Sequence, residues 1–258
     1  MKRLRDAGIT PARSLGKVLA LSLTLFPPAV FTVAGSARAG LVPSITPQVA
    51  VLNKYLWRGA LLTDGPVMQP SVNLALGGLQ LNAWGNMDLD RANNRPGRLD
   101  EIDYTAGYTF GLGLAGITLG GIAYTYPQHA FPASMELTGS VSLSLPGAPT
   151  LGLNRDVKES QGTYLSLSGQ HSIPSGPLDL SAAVSVGWGD NHHNACNYCV
   201  DGSGLTDASL NLTRDLPLTP AITLEPSLGF SRLLDSRLRN RAEHAQNLSF
   251  GITLKGGF

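Results

Sequence analysis

From residue 40 onward the chain alternates apolar and polar side chains in segment after segment, and it has no apolar run long enough for a transmembrane helix. Leu79, Leu81, Ala83, Gly85, Met87 and Leu89 alternate with Gln80, Asn82, Trp84, Asn86 and Asp88. Ile102, Tyr104, Ala106, Tyr108 and Phe110 alternate with Glu101, Asp103, Thr105, Gly107 and Thr109. The same holds over 136–145, 178–188 and 247–255, where Leu, Val and Phe interleave with Ser, Thr, Asn and Gly. A period of 2 puts neighbouring side chains on opposite faces of a strand, so each segment has one greasy face and one small, polar face.

Weaker runs at 48–58, 67–77, 116–126, 150–157, 162–172, 206–214 and 221–232 bring the total to twelve. Each strong run approaches the ~9–11 residues that a tilted strand needs to cross a bilayer. Short Gly/Pro-rich turns near 77–78, 111–115, 146–149, 173–177 and 215–220 alternate with longer polar stretches at 59–66, 90–100, 127–135, 158–161, 189–205 and 233–246. The expected fold is all-β: a transmembrane antiparallel up-and-down barrel of about 12 strands, with about 10 as the second count because 150–157 is short. Short turns then face the periplasm and long loops the exterior.

A soluble sandwich also alternates, but its outer face carries charge. Here charged residues are 14% of the chain, against about 25% in soluble domains, and they concentrate in the loops. Tyr55, Trp57, Tyr104, Trp188 and Phe230 fall near long-loop ends, and Tyr108 and Phe110 near a short turn, as two interfacial girdles would. The last strand ends at Phe258 with Leu254, Ile252 and Phe250 on one face, like the signal read by the barrel-assembly machinery; Gly256 departs from the bulky residue usual there.

Residues 1–39 read as a cleaved signal peptide: Lys2, Arg3, Arg5, Arg13 and Lys17 precede an apolar stretch from Val18 to Ala34, and Ala37-Arg38-Ala39 supplies the small residues of a cleavage site. Residues 40–258 then form the barrel. Removing six cations and one acid from 19 and 18 leaves 13 against 17, a net charge of −4. No basic aromatic patch points to nucleic acid.

Tyr55-Leu56-Trp57-Arg58-Gly59, Gln69-Pro70-Ser71, Glu101-Ile102-Asp103-Tyr104 with Gly107-Tyr108, and Tyr124-Thr125-Tyr126-Pro127 resemble the motifs of the TorF-like porins. The resemblance spans most of the mature chain. It departs at Lys54, where an acid is expected, and at the cysteine loop. It implies an outer-membrane barrel whose substrate is open.

Cys196 and Cys199 follow His192 and His193 in one long loop. A disulfide suits an exported loop; a Cys2His2 metal site, a redox pair and two free thiols are the other readings. We expect the disulfide, with no metal and no cofactor. His129, His171, His192, His193 and His244 come without a recognisable nucleophile motif, so an outer-membrane hydrolase is a lesser alternative. Arg232, Arg237, Arg239 and Arg241 suit either lipopolysaccharide phosphates or pairing with Asp235 and Glu243.

By parity Asp88, Glu101, Asp103, Glu136, Asp207 and Glu225 point into the lumen, and Lys54, Arg58 and Lys255 join them from the first and last strands. Two roles are open for these charges: lining a selective wet path, or pairing to fill the bore. The function expected is a porin-like channel for passive diffusion of small polar solutes. A structural or adhesive barrel with a plugged lumen is the main alternative.

Overall fold

The computed structural model describes residues 42–94, 96–128, 131–174 and 180–257. The proposed signal peptide and Phe258 lie outside these described residues.

Strands run from β1 (Ser44–Leu52) through β2 (Tyr55–Trp57), β3 (Ala60–Thr63), β4 (Val67–Leu76), β5 (Leu79–Asp88), β6 (Leu99–Leu112), β7 (Ala115–Thr125) and β8 (Ser134–Leu143). They continue through β9 (Thr150–Asp156), β10 (Thr163–Ile173), β11 (Leu180–Gly189), β12 (Gly204–Thr213), β13 (Leu216–Thr219), β14 (Ile222–Leu233) and β15 (Gln246–Gly256). Helix α1 (Asn191–Tyr198) lies between β11 and β12, and helix α2 (Ser236–Arg241) between β14 and β15.

Twelve of these strands form a closed antiparallel barrel. The ring runs β1, β4 to β12, β14, β15, and every neighbour is antiparallel. Two seams close it. β1 pairs with β15 from Gln48↔Lys255 to Leu52↔Gly251, and β12 pairs with β14 from Asp207↔Leu233 to Thr213↔Ser227. The long connections, which carry β2, β3, α1 and α2, gather at one end, called here the loop end. Short connections lie at the other, the turn end, where β13 adds a small flap to the start of β14.

The two faces of the wall are chemically opposite. Outside, Leu81, Tyr104, Leu119, Leu137, Leu151, Leu167, Val184, Phe250, Ile252 and Leu254 are all exposed. An apolar surface continuous around a barrel is far larger than the patches a water-soluble monomer tolerates. Among the described residues no helix is long and apolar enough to cross a membrane; strands provide the apolar belt.

Two sequence expectations need correction. The first predicted run, 48–58, stops as a wall strand at Leu52, because β2 and β3 turn away into their own two-stranded sheet. Tyr55 and Trp57 therefore do not belong to an interfacial girdle: they are buried. Tyr104, Tyr108, Phe110 and Phe230 are exposed.

Candidate functional site

The β2–β3 hairpin is tight because only Arg58 and Gly59 separate Trp57 from its partner Ala60. Both have positive φ, 43° and 82°, as a two-residue type I′ turn requires. Gly59 is needed twice over. A Cβ there would adopt an unfavourable φ and would press on Asp207 Cβ and Leu233. The hairpin tip thus rests against β12 and β14, while its stem leaves from β1. It carries Tyr55 and Trp57 into a buried cluster with Val67, Trp84, Ile122, Tyr124 and Tyr126. The loop-end half of the lumen is packed like a protein core.

Arg58 is the polar centre of this packing. Its guanidinium donates to both carboxylate oxygens of Glu136 on β8, Nη1 to Oε1 at 3.0 Å and Nη2 to Oε2 at 2.8 Å. Both side chains are 2% exposed. The flat cation also lies over the Tyr164 ring at 4.2 Å and the Trp57 ring at 4.7 Å. Glu136 accepts further bonds from Tyr124 Oη and Asn154 Nδ2, each at 3.0 Å. A charge removed from water is tolerated only when paired and hydrogen-bonded, and this pair is both.

Asp88, Glu101, Asp103 and Asp207 sit at the same end. Asp88 accepts from Thr63 of the hairpin at 2.9 Å and from Asn93 at 2.8 Å. Glu101 accepts from Tyr55 Oη at 3.0 Å. Asp207 accepts from Tyr164 Oη at 3.0 Å and Thr206 Oγ1 at 2.7 Å. Asp103 is buried beside them. Three of these contacts, those of Arg58, Tyr55 and Thr63, tie the hairpin to the wall.

Helix α1 completes the closure. Asp190 caps its N-terminus by accepting from the His193 backbone N–H at 2.8 Å. The Tyr198 hydroxyl donates to the Arg58 carbonyl oxygen at 2.6 Å. His193 is buried among Trp57, Tyr164 and Tyr198, with ring centroids 5.2–5.9 Å away. Burial, and then the nearby Arg58 cation, hold its imidazole well below the usual histidine range.

Below the hairpin the lumen is open. A cavity of about 560 Å³ extends toward the turn end, with Trp84, Asp103 and Ile122 at its inner limit. Its wall is mostly Asn, Ser, Thr, Gln and Gly from β4 to β10, with Leu74, Leu81, Leu143 and Leu153 also contributing. Trp84 also touches Tyr55 of the hairpin, ring centroids 5.7 Å apart, so the cavity ends where the packed half begins.

The remaining candidates lie elsewhere. Lys54 is in the β1–β2 connection, not on a wall strand, and pairs with Asp64 at 3.2 Å. Lys255 joins Glu225 at 2.5 Å and Asp215 at 3.2 Å near the turn end. These three cations, expected from the first and last strands, therefore do not line the β1–β15 seam together: Arg58 leaves it to reach β8. Cys196 and Cys199 are free thiols, which corrects the expected disulfide. Cys196 is a half-buried helical residue, and Cys199 is the exposed left-handed C-cap. Burial, and then Asp156 and Glu159, push the Cys196 thiol up to about 11, which disfavours the thiolate that disulfide exchange requires. Among the described residues no group of three His, Cys, Asp or Glu side chains is arranged to hold a metal. Arg237 forks onto Asp235 and donates to the Asp201 and Ser203 carbonyls, fastening α2 to the α1 loop.

Residues 37–223 match the model of a family described as "Bacterial protein of unknown function (Gcw_chp)". The chain belongs to the Gcw_chp family. The matched span of this Gcw_chp protein includes the hairpin, α1 and most of the wall, and stops at the start of β14. No curated protein sequence matches it. Its fold is similar to that of the KdgM porin, with a TM-score of 0.52 at 10% identity over 83% of this chain and 99% of the porin. It is also similar to the NanC porin, with a TM-score of 0.50 at 10% identity over 82% of this chain and 98% of that one.

Proposed function

We propose that the protein is an outer-membrane channel for small polar solutes, of the TorF-like porin kind, whose external mouth is closed by the β2–β3 hairpin and α1. The observation that carries this reading is the division of one lumen into two halves. A closed barrel with an apolar belt encloses a cavity with many hydroxyl and amide groups, and a loop-borne insert packed on inward wall side chains stands between that cavity and the loop end. A wall built solely for structure has no need of a cavity lined with hydroxyls and amides. The KdgM porin has been solved in complex with disordered oligogalacturonate, so a barrel of this fold takes up a polar ligand.

The buried charges act here as latches of the insert and not as a conducting ring. Thr63, Tyr55 and Arg58 of the insert donate to Asp88, Glu101 and Glu136, while Asp207 accepts from the wall residue Tyr164, over whose ring Arg58 lies. Phe250, Ile252 and Leu254 on the outer face of β15, with Phe258 beyond it, are the proposed contacts of the assembly machinery. Lipid and lipopolysaccharide are the proposed surroundings of the belt and loops. Export by the 1–39 signal peptide belongs to the same reading.

A second reading, a permanently plugged structural barrel, is favoured by the density of the hairpin core, where Trp57 is 1% exposed and Tyr124 is fully buried. Planar-bilayer recording separates the two. The channel reading expects discrete openings from the purified full chain, more frequent after Arg58→Ala. Silence from the wild type, from Arg58→Ala and from a chain with 54–65 replaced by a short turn, all folded, would establish the plugged barrel.

A further inference from the structure

The open half of the lumen is lined mostly by Asn, Gln, Ser, Thr and Gly, with Trp84 and Ile122 at its inner end. Asn82, Thr118, Thr138, Ser140, Asn154 and Ser168, from five strands, face it with neutral groups that both donate and accept hydrogen bonds. Among the described lining residues there is no Lys or Arg, and the sole charge is Asp103 at the inner end. Among the described residues the buried cation nearby, Arg58, is already held by Glu136. Asp88, Glu101 and Asp207 are buried in the same closed end.

This lining selects by chemistry. A carboxylate or phosphate ligand is normally met by a guanidinium or ammonium group, and here it would find neither and would face the Asp103 carboxylate at the inner end. An apolar ligand would strip water from the hydroxyls and amides and return nothing. A ligand that carries many hydroxyls and no charge can exchange its water for bonds in every direction. Trp84 at the inner end supplies the flat apolar surface that such a pocket needs to fix orientation. About 560 Å³ falls within the range of small-molecule sites.

We propose that the cavity is a binding site for a neutral polyhydroxylated solute of mono- to disaccharide size, and that it disfavours anionic sugars. The proposal deepens the channel reading, which supplies the reason for such a site, but the site itself is open toward the turn end whether or not the hairpin moves.

The test is saturation-transfer NMR on the full chain in detergent at low salt, with glucose and glucuronate as probes that differ by one carboxylate. A saturable glucose signal is expected, with glucuronate at least about fivefold weaker, since like charges oppose binding. Ser140→Arg should raise glucuronate binding above that of glucose; if this variant does not fold, Asn154→Lys tests the same point from β9. Ser140→Phe, which fills the space without charge, should weaken glucose. Glucuronate equal to or tighter than glucose in the wild type, or no saturable glucose signal, overturns the proposal. Conductance on the same preparation keeps the two ideas apart. Selective binding without conductance removes the channel and leaves the site, whereas conductance without selective binding removes the site alone.

Discussion

Arg58, at the tip of the inward hairpin, grips Glu136 with two hydrogen bonds of 3.0 and 2.8 Å, although 78 residues separate them in the chain. The hairpin departs from β1, and β8 is reached only after passing β4, β5, β6 and β7 around the wall. The contact therefore spans the lumen and, with those of Tyr55 and Thr63, ties the hairpin to the wall.

Arg58→Ala should destabilise the closed mouth by roughly 3–5 kcal/mol, the usual cost of leaving one member of a buried pair. Tyr124 and Asn154 still donate to Glu136, so the lower part of that range is expected. The temperature at which the barrel unfolds on gels should fall, and open probability should rise. Arg58→Lys should lie between, because an ammonium cannot fork. A folded Arg58→Ala protein with wild-type conductance would disprove the latch.

Acid should loosen α1. His193 is seated neutral, with its pKa held low by burial, while a displaced histidine titrates near about 6.5. The displaced state thus binds the proton more readily. Stability of the seated helix is full above about pH 6.5 and falls as pH drops below it. Hydrogen exchange over 191–198, corrected for intrinsic rates, should be faster near pH 5 than at neutrality, and His193→Gln should flatten that dependence. Equal protection at both pH values would contradict this role for His193.

The two thiols should differ in reactivity. Cys199 is exposed, and Cys196 is half-buried with its pKa pushed up to about 11. Without reductant, alkylation should mark Cys199 first and Cys196 slowly, and intact mass should show both additions in the end. A protein that accepts no label until it is reduced would mean that the pair is oxidised.

Gly162 should tolerate no side chain, since a Cβ there would overlap the His193 backbone. Gly162→Ala should cost about 1–3 kcal/mol by overpacking, read as faster exchange in α1 with the strand amides still protected. Uniform loss across the wall would instead locate the damage in the barrel.

Neighbouring positions on β10 should respond oppositely to one substitution. Leu167 is exposed on the belt at mid-strand, whereas Ser168 lines the cavity. Leu167→Arg should lose about 2–4 kcal/mol in a bilayer, measured by reversible unfolding in vesicles, and Ser168→Arg should fold with much less loss. Equal penalties would contradict the assignment of faces.

The wall was legible because alternation is a direct record of two solvents: Leu167 beside Ser168, or Tyr104 beside Asp103, can satisfy both faces in only one register. The insert was not. Tyr55, Trp57 and Arg58 continue the same alternation past Leu52, and nothing in that rhythm says that the strand has left the wall. The available signal was Gly59: a glycine following Arg58 ahead of a second apolar run marks a two-residue turn, though Arg is an uncommon residue at positive φ. Inward parity located Asp88, Glu101 and Glu136, but their partners depend on where a loop folds, which periodicity does not encode. The caps of α1 and α2, Asp190 and Asp235, were readable as N-cap residues and lay in stretches that looked merely polar.

β1 is bonded on one side to β4, which follows it closely, and on the other to β15, about two hundred residues later. A chain threaded through a membrane from its leading end therefore presents β1 with half of its backbone groups unsatisfied until nearly everything else has arrived. Joining segments so far apart carries a large entropic debt and makes folding slow. Throughout that interval an open sheet edge is available to any other strand. Losing β15 alone would leave two raw edges, on β1 and on β14, in place of a ring.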